Sequence, residues 1–406
     1  MVRALVIFGL LGMTSNALAF EHTKVLPKGV RNATLRMIDT EISEKTNANG
    51  IPEPLSQPLA KDLTFARILQ GETGVKRQQL EAFLLANGFP LDQSIGTFSA
   101  DLQGRVSVVA PVFSYGLTEK LTLALAIPYY RASTAVEMGF KPNPNAQTFL
   151  TTLTQPSNNQ TQSAREAAEK FNSAVEELNK KLARNGYSRL DTWEGQGLGD
   201  IVVAAKHQTF ASEYFIAALT GGVNAPTGRG DDPDLLTDLP FGDQQWDVFA
   251  QAAFDQPLVA GIGLNEYAKY TYQAPGRKSI RAKTEDEAIE VELKRVSFKL
   301  GDKVDAGVSL VYEPAFGLTT GIGRSLFRKR GDQYRGLSLE SETEWEKGSD
   351  QSADYNEYKL GYSTVPAYQQ GTFKVPFSVG LEFKQHVKSR NMPVSDLAQA
   401  ELSLFF

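Results

Sequence analysis

The chain has 406 residues, a net charge of −5, three histidines and no cysteine. Without cysteine it has no disulfide, no thiolate metal ligand and no cysteine-linked lipid anchor, and three histidines leave little material for a histidine-built centre. The small acidic excess gives no reason to expect nucleic acid. A mean hydropathy of −0.28 argues against a bundle of transmembrane helices but allows a barrel with a polar lumen and loops.

The chain begins with a segment typical of export. Arg3 precedes a short apolar run that ends at Met13 and is too short to span a bilayer. The residues at 17–19 have the small-x-small pattern of a cleavage site. We therefore predict a cleavable signal peptide over 1–19, with a buried N-terminal helix as the alternative. The mature chain, 20–406, is expected to form one outer-membrane β-barrel.

The mature chain repeatedly alternates apolar and polar residues, which is the period of a β-strand. A strand of a membrane barrel needs about 9–11 residues, with apolar side chains facing lipid and small or polar side chains facing the lumen. An even number of strands puts both chain ends in the periplasm. In chain order the alternation predicts twelve strands, near 29–42, 101–114, 120–133, 198–211, 213–226, 245–256, 259–273, 289–301, 303–316, 353–365, 372–387 and 394–406.

Long connections between these strands are expected outside the cell and short turns in the periplasm. Apolar residues at helical spacing predict an amphipathic helix over 163–186, within an insert at about 143–190, and a shorter helix over 77–86. The long helix is expected to lie on its own loop or over the barrel mouth; the alternative is a helix that binds the membrane surface or a partner. The long connections are predicted at 43–100, 134–197, 227–244, 274–288 and 317–352.

The last two strands carry the clearest pattern. Every second residue from Phe373 to Phe383 is a bulky apolar one, whereas the intervening positions include Lys374 and Glu382. So long an apolar face is unusual for a soluble sandwich. The chain ends in the same way, on Phe406. A final strand that stops on a C-terminal phenylalanine resembles the signal that the bacterial barrel assembly machinery reads.

These patterns predict an all-β fold, an antiparallel transmembrane β-barrel of about 12 strands with long extracellular loops. Charged residues on the inward parity are candidates to line the lumen. They could form a polar pathway for small solutes, or an ion-paired plug that neutralises charges across neighbouring strands. The lumen candidates are Arg105, Lys206, Asp247, Lys269, Arg295, Lys299, Glu313, Glu357, Lys359, Lys374, Glu382, Lys384 and Glu401.

Two groups of loop residues are further candidates. Asp231, Asp232 and Asp234 form a weak calcium candidate, but they lack the spacing of an EF-hand loop and a solvated acidic loop is the simpler interpretation. No other metal site and no catalytic residue is predicted. Apolar loop residues could line an entry cleft for a hydrophobic ligand, or simply pack the loops together. They are Phe83, Leu85, Phe89, Phe149, Leu150 and Phe171.

A series of short motifs resembles one outer-membrane family. In order they are LPKGV at 26–30, YGLTEKL at 115–121, IPY at 127–129, GLGDI at 197–201, APTG at 225–228, PFGD at 240–243 and GYSTVPAY at 361–368. Their order is similar to that in outer-membrane transporters assigned to the meta-pathway of phenol degradation. That family resembles, at a distance, the fatty-acid and aromatic-hydrocarbon channels. The long insert at 143–190 departs from the family pattern.

The resemblance implies a passive channel or transporter in the outer membrane of a Gram-negative cell, porin-like, for small compounds that include hydrophobic or aromatic ones. It implies no cofactor. The expected partners are outer-membrane lipid, the barrel assembly machinery and an unidentified solute. The alternative is a structural, adhesive or receptor barrel that acts through its loops. An outer-membrane lipid hydrolase has less support, because the chain contains no G-x-S-x-G motif.

Overall fold

A computed structural model of the chain describes residues 21–70, 72, 74–155, 173–282 and 292–406. Within these residues, the strands pair in antiparallel fashion and form a closed barrel whose wall contains twelve strands, as predicted. Two of the twelve wall strands are interrupted, and each consists of two collinear segments: β6 (Leu121–Ala126) with β7 (Tyr129–Pro142), and β8 (Trp193–Leu198) with β9 (Ile201–Ala211). The barrel strands are β1 (Arg31–Ile42), β5 (Ser94–Thr118), β6 (Leu121–Ala126), β7 (Tyr129–Pro142), β8 (Trp193–Leu198), β9 (Ile201–Ala211), β10 (Ile216–Ala225), β11 (Asp247–Val259), β12 (Ile262–Gln273), β15 (Lys303–Tyr312), β16 (Leu318–Lys329), β18 (Gln351–Ser363), β19 (Phe377–Arg390) and β21 (Leu397–Phe405).

The first strand closes the barrel. β1 pairs along its whole length with β5 on one side. On its other side it pairs with β21, and there Asn32 lies opposite Phe405. Every backbone group of the wall can therefore find a partner in a neighbouring strand, which is the condition for β-structure in a bilayer. Outward side chains such as Leu35, Ile322 and Leu381 are exposed, and they form the apolar outer surface that lipid would cover.

The two ends of the barrel differ. One end, here called the turn end, carries both ends of the barrel chain, Arg31 and Phe405, and mostly short connections. The turn between β11 and β12 is a tight one at Ala260-Gly261, where both residues have positive φ, as a two-residue hairpin of the right twist requires. The other end, the loop end, carries the long connections.

Helices and small sheets fold over the loop end, apart from one short helix, Val365–Gln369, at the turn end. The helix Pro144–Leu153 is capped by Asn143, whose side chain accepts hydrogen bonds from the backbone of Asn145 and Ala146, and it has proline in its first turn. The helices are α1 (Phe65–Gln70), α2 (Gly74–Ala86), α3 (Pro144–Leu153), α4 (Ala174–Arg184), α5 (Leu339–Glu346) and α6 (Val365–Gln369). The remaining strands are β2 (Glu44–Thr46), β3 (Pro52–Pro54), β4 (Asp62–Thr64), β13 (Gly276–Ala282), β14 (Glu292–Lys299), β17 (Gln333–Arg335) and β20 (Pro393–Val394).

One predicted barrel strand is wrong, and another was missed. The strand predicted at 289–301 contains β14, which joins β13 and β17 in a separate sheet outside the barrel wall. Its Val296 and Phe298 are buried against that sheet, so a half-buried loop strand gave the same period of two as a membrane strand. β16 lies where a loop was predicted, because Gly321, Gly323 and outward Arg324 interrupt its alternation. β12 consequently pairs directly with β15.

The predicted helices agree in part. α2 covers the shorter one at 77–86, and α4 covers the C-terminal half of the one at 163–186. Residues 156–172, and the predicted signal peptide over 1–19, lie outside the described residues. Among the residues that are described, none of the helices has both the length and the apolar character needed to cross a bilayer.

Candidate functional site: the barrel lumen

Residues 21–28, which precede β1, enter the lumen from the turn end. They are called the N-terminal segment below. Gly29 turns the chain into the barrel wall with a φ of +83° and donates a backbone hydrogen bond of 2.8 Å to Gly116. A residue with a side chain would be strained there. Leu26 donates its backbone N–H to Thr122 Oγ1 at 2.7 Å, so the segment is fastened where it passes β6.

Glu21 lies deepest and is almost fully buried. Its carboxylate lies 3.1 Å from Lys359 Nζ on β18 and 3.5 Å from Lys384 Nζ on β19. Its backbone carbonyl accepts a hydrogen bond of 3.1 Å from the Asn265 side chain on β12. A buried carboxylate is stable only when cations and donors surround it, and the wall supplies both.

The next three residues contact other strands of the wall. Lys206 Nζ on β9 donates to the carbonyl of His22 at 2.7 Å. Thr23 donates its backbone N–H to Asp255 at 3.1 Å. Lys24 lies 2.7 Å from Glu313. Together with the contacts of Glu21, these bonds join the N-terminal segment to β9, β11, β12, β18 and β19, and to the residue that follows β15.

The charges around Glu21 form one network. Lys384 Nζ lies 2.9 Å from Glu357, 3.3 Å from Glu382 and 3.5 Å from Glu21. Lys359 Nζ lies 3.6 Å from Glu357 on the other side. Oxygen atoms of the three carboxylates lie within 4.8 Å of one another, a spacing that could hold a metal ion. The ammonium group of Lys384 already contacts all three, so it supplies the positive charge that a metal would otherwise supply.

A second polar layer lies nearer the loop end. Lys303 Nζ is 3.7 Å from Asp247, whose carboxylate also contacts Gln273 at 3.3 Å. Lys269 Nζ lies 4.7 Å from the ring centroid of Phe249, a cation–π geometry. Between the two layers is a small cavity of about 50 Å³ lined by residues that include Tyr267 and Asp305. It has room for a few waters at most.

The loop end of the lumen is filled by apolar side chains. Inward residues of β1, β5 and β7 pack against loop residues such as Leu182, Leu236 and Phe241. The ring of Phe241 stacks on Tyr130 with centroids 5.5 Å apart. This group is called the mouth cluster below. The sequence patterns did not predict the mouth cluster, although one acidic loop contains four apolar residues that stand out, Leu235, Leu236, Leu239 and Phe241.

Asp243 fastens the same loop to the barrel. Its carboxylate accepts hydrogen bonds from Gln273 Nε2 at 2.9 Å and from the Gln245 backbone at 3.1 Å. Burial, helped by the charge of Asp247, raises the pKa of Asp243 to about 7. Because this pKa is raised above its ordinary value of 3.8, the docked loop is favoured at low pH and loses stability as the pH rises towards 7.

We therefore expect backbone hydrogen exchange in the loop 226–246, corrected for intrinsic rates, to be at least about five-fold faster at pH 8 than at pH 5.5. Asp243→Asn should remove most of this pH dependence, since an amide stays neutral. Asp232→Asn, in the same loop, is the control and should keep it. Equal pH dependence in wild type and Asp243→Asn would contradict the assignment.

Most of the predicted lumen residues face inward, but four do not. Arg105 lies on the outer face of β5 and pairs with Asp39 at 3.1 Å. Arg295 and Lys299 belong to β14, outside the barrel, and Lys374 is exposed in the connection at the turn end. Glu313 lies at the lumen entrance. The inward candidates are Lys206, Asp247, Lys269, Glu357, Lys359, Glu382, Lys384 and Glu401.

The reasons for the four corrections are physical. The prediction placed charged residues on the inner face because an outward charge is unstable in contact with lipid. That reason holds only where hydrocarbon surrounds the barrel. Arg105 lies towards the loop end, where charges can meet water or headgroups. Arg295 and Lys299 were expected in the lumen because the strand predicted at 289–301 was expected to belong to the barrel wall. Lys374 precedes the first residue of β19, so the alternation began before the strand did.

The apolar loop residues form a packed core, not an open cleft. Phe89 and Phe149 pack against Phe65, with ring centroids 5.3 Å and 5.0 Å from that of Phe65. Phe83 packs in turn against Phe89 and Phe149. Leu85 is exposed, Leu150 is half-buried and Phe171 lies outside the described residues. The group, called the cap cluster here, contains Phe65, Leu69, Leu84, Phe89, Ile95, Ala146, Phe149 and Leu153, with Phe83 partly buried against it.

Phe65→Ala should loosen this cap. The Phe65 side chain is fully buried, so truncation should cost the cap about 3–5 kcal/mol. We expect limited proteolysis to cut the connections 43–93 and 143–155 much faster, while the barrel remains folded. Leu85→Ala, at a residue that is 66% exposed, should leave the cleavage rate near that of wild type. A resistant Phe65→Ala variant would mean that the cap is held by other contacts.

The acidic loop does not converge on a cation. Asp231 pairs with Lys278 at 3.8 Å, and Asp234 pairs with Arg281 at 2.6 Å. Asp232 accepts a backbone hydrogen bond from Asp234. Two of the three carboxylates are directed towards basic groups of β13 and the third towards the backbone, so the weak calcium candidate is not supported.

One serine–histidine contact occurs near the loop end. His386 Nε2 lies 2.9 Å from Ser389 Oγ, which also lies 2.9 Å from Thr46 Oγ1. A serine nucleophile needs a histidine that a third group orients through its other ring nitrogen. Asp396 instead accepts the backbone N–H of His386, at 2.8 Å. Within the described part of the chain, this contact does not form a triad.

Comparison with known proteins places the fold. No protein-family model matches the sequence, and no curated protein matches it. Among solved structures, an outer-membrane channel from Pseudomonas putida F1 matches with a TM-score of 0.53 and 12% identity, over 95% of this chain and 98% of that chain. A FadL homologue from Pseudomonas aeruginosa matches with a TM-score of 0.35 and 8% identity, over 97% of this chain and 93% of that one. The first match supports the fold alone: the chain folds as an outer-membrane β-barrel.

Proposed function

We propose that the protein is a passive outer-membrane channel for small compounds, closed at rest by its own N-terminal segment. The observation that carries this proposal is the position of Glu21, held in the lumen by Lys359 and Lys384. The segment is held in the lumen by ion pairs and hydrogen bonds, and water can replace the partners of each.

The solute is proposed to be small and at least partly apolar, with aromatic compounds as good candidates. At the loop end a solute would meet the mouth cluster, whose aromatic rings of Tyr130, Trp193 and Phe241 now pack against one another and would have to part to let it pass. Farther in, it would meet the two charged layers. An apolar site with a few polar groups is the usual composition of a site for such compounds. The driving force would be the concentration difference alone.

The test is uptake into proteoliposomes. We expect vesicles that contain the refolded protein without residues 21–26 to admit benzoate faster than protein-free vesicles, whereas a disaccharide of larger cross-section should enter at the background rate. Equal uptake of both solutes in the two kinds of vesicle would reject the channel. In that case surface binding through the loops, without transport, becomes the function to measure.

The mature chain is proposed to begin at Phe20, after removal of 1–19. The assembly machinery is proposed to recognise the C-terminal strand through Phe406, whose side chain is 67% exposed and makes no part of the core. Phe406→Ala should lower the amount of folded barrel in the outer membrane several-fold. Leu404→Ala is the control for lost outward apolar surface, and equal losses in both would argue against a terminal signal.

A further inference from the structure

The outer wall carries a compact group of cations on three neighbouring strands near the loop end. Arg324 and Arg328 lie on β16, and Lys388 and Arg390 lie on β19, with β18 between them. All four point away from the lumen and are well exposed, from 44% for Arg328 to 69% for Lys388. This group is called the basic patch.

The patch has more cations than its carboxylates can neutralise. Asp354, on β18, is the shared partner of three of them, at 2.8 Å from Arg328, 3.4 Å from Lys388 and 3.5 Å from Arg324. Arg390 pairs with Asp350. Four cations against two carboxylates leave an excess of two positive charges. Since the cations remain exposed while Asp354 is nearly buried beneath them, the free faces of the charged groups point outward.

The register places the four cations close together. Arg328, Ser352 and Arg390 lie on one row across three strands, and Leu326, Asp354 and Lys388 lie on the next. Neighbouring strands are about 4.8 Å apart and successive residues rise about 3.3 Å, so the patch measures roughly 10 Å by 13 Å.

The patch lies at the border of the apolar surface. On the same strands, one step towards the turn end, Tyr358 and Phe383 stack with ring centroids 6.4 Å apart and face outward. Beyond them the outward residues are Leu360 and Leu381. Aromatic residues mark the edge of the hydrocarbon layer, so the patch lies at headgroup depth on the side of the long loops.

The excess charge is local. Two strands further along the wall, past β21, the outward charges near the loop end are Asp39 and Glu41 with Arg105, an acidic excess. If charged side chains at headgroup depth were only tolerated, positive and negative residues would not need to lie on separate parts of the wall. Arginine is also the side chain best suited to bind phosphate through two parallel hydrogen bonds.

We propose that the basic patch binds the phosphate groups of a phosphorylated glycolipid, the lipopolysaccharide class, in the outer leaflet. The guanidinium groups of Arg324 and Arg328 and the ammonium of Lys388 contact the phosphate, and Arg390 extends the site towards the saccharide. Leu326, between the two arginines, and Phe383 contact the start of the acyl chains. This site is independent of the lumen and of the channel function.

The test is binding of purified lipopolysaccharide to the full-length protein in detergent, measured by native mass spectrometry. Arg324→Gln with Lys388→Gln should weaken binding about ten-fold or more, since each cation near an anionic headgroup contributes about five-fold. Arg328 is left intact because it also donates to the backbone carbonyls of Phe327 and Ala353. Arg131→Gln, at an exposed arginine elsewhere on the wall, is the control and should bind as wild type does.

Two further measurements separate the proposal from simpler explanations. Asp354→Asn should strengthen binding if the patch is a phosphate site, and should leave it unchanged or weaken it if the cations serve only to neutralise Asp354. Lipopolysaccharide whose phosphates have been removed should bind as weakly as the double variant does. The proposal is overturned if the phosphorylated and dephosphorylated forms bind equally well. It is also overturned if inorganic phosphate displaces the lipid from the patch when the two are present at equal concentrations. Heat-dependent gel migration verifies that each variant is folded.

Discussion

Deletion of residues 21–26 is expected to open the channel. In planar bilayers the deletion should raise the mean single-channel conductance at least about ten-fold over that of the wild-type protein. The deletion removes the contacts of Glu21 with Lys359 and Lys384 and leaves Gly29 to enter β1 as before. The strands of the wall keep their sequence, but Lys359 and Lys384 lose one carboxylate partner, so heat-dependent gel migration must first verify that the variant is folded.

Glu21→Gln should give an intermediate result. It keeps the segment but replaces charge-assisted bonds with neutral ones, a loss of about 1.5–3 kcal/mol that raises the open fraction by about ten-fold or more. Glu213→Gln, at an exposed residue in a tight turn at the same end, is the matched control and should conduct as wild type does. If the deletion and wild type conduct equally, the segment is not the block, and the mouth cluster becomes the candidate.

Removal of Lys384 is expected to have the largest effect on stability. Its ammonium is the only group that lies within 3.5 Å of all three carboxylates of Glu21, Glu357 and Glu382 among the described residues. Without it, a cluster of buried negative charges remains. Loss of one partner from a buried network costs about 3–5 kcal/mol, so Lys384→Ala should lower the urea midpoint of unfolding in lipid vesicles substantially.

The matched control is Lys374→Ala. Lys374 is exposed in the connection before β19, so its loss should change the free energy of unfolding by less than about 0.5 kcal/mol. Adding Glu357→Gln to Lys384→Ala should recover part of the loss, because it removes one of the repelling charges. Equal midpoints for Lys384→Ala and Lys374→Ala would show that the network contributes little.

Sequence alternation was enough to predict a barrel and the inward position of residues such as Lys384 and Glu357. A period of two fixes which face a residue occupies once a strand is correctly identified, and that held for β18 and β19. It could not tell β14 from a membrane strand, since a half-buried strand of any sheet alternates in the same way. It also missed β16, where glycines and outward arginines break the pattern.

The centre of the lumen could not be predicted from the sequence at all. Glu21, His22 and Thr23 show no periodicity, and their partners lie 184 to 363 residues away in the chain. Local patterns carry no information about such contacts. The one signal available was indirect: the inward charges predicted on separate strands were too many to remain unpaired in a narrow barrel. Of the two alternatives for the lumen, a polar pathway and an ion-paired plug, the second describes the charges around Glu21, although Glu21 itself was not among the candidates.

The pairing of β1 with β21 sets the order of events when the barrel forms. Asn32 lies opposite Phe405, so the seam joins residues near the two extremes of the chain. Contacts of such high sequence separation are reached late and slowly, because the loop they close is almost the whole polypeptide. Until the last strand arrives, β1 has an unpaired edge that can pair with another chain. The barrel can therefore be sealed only after the entire chain has been delivered, and a nascent chain must be shielded until then.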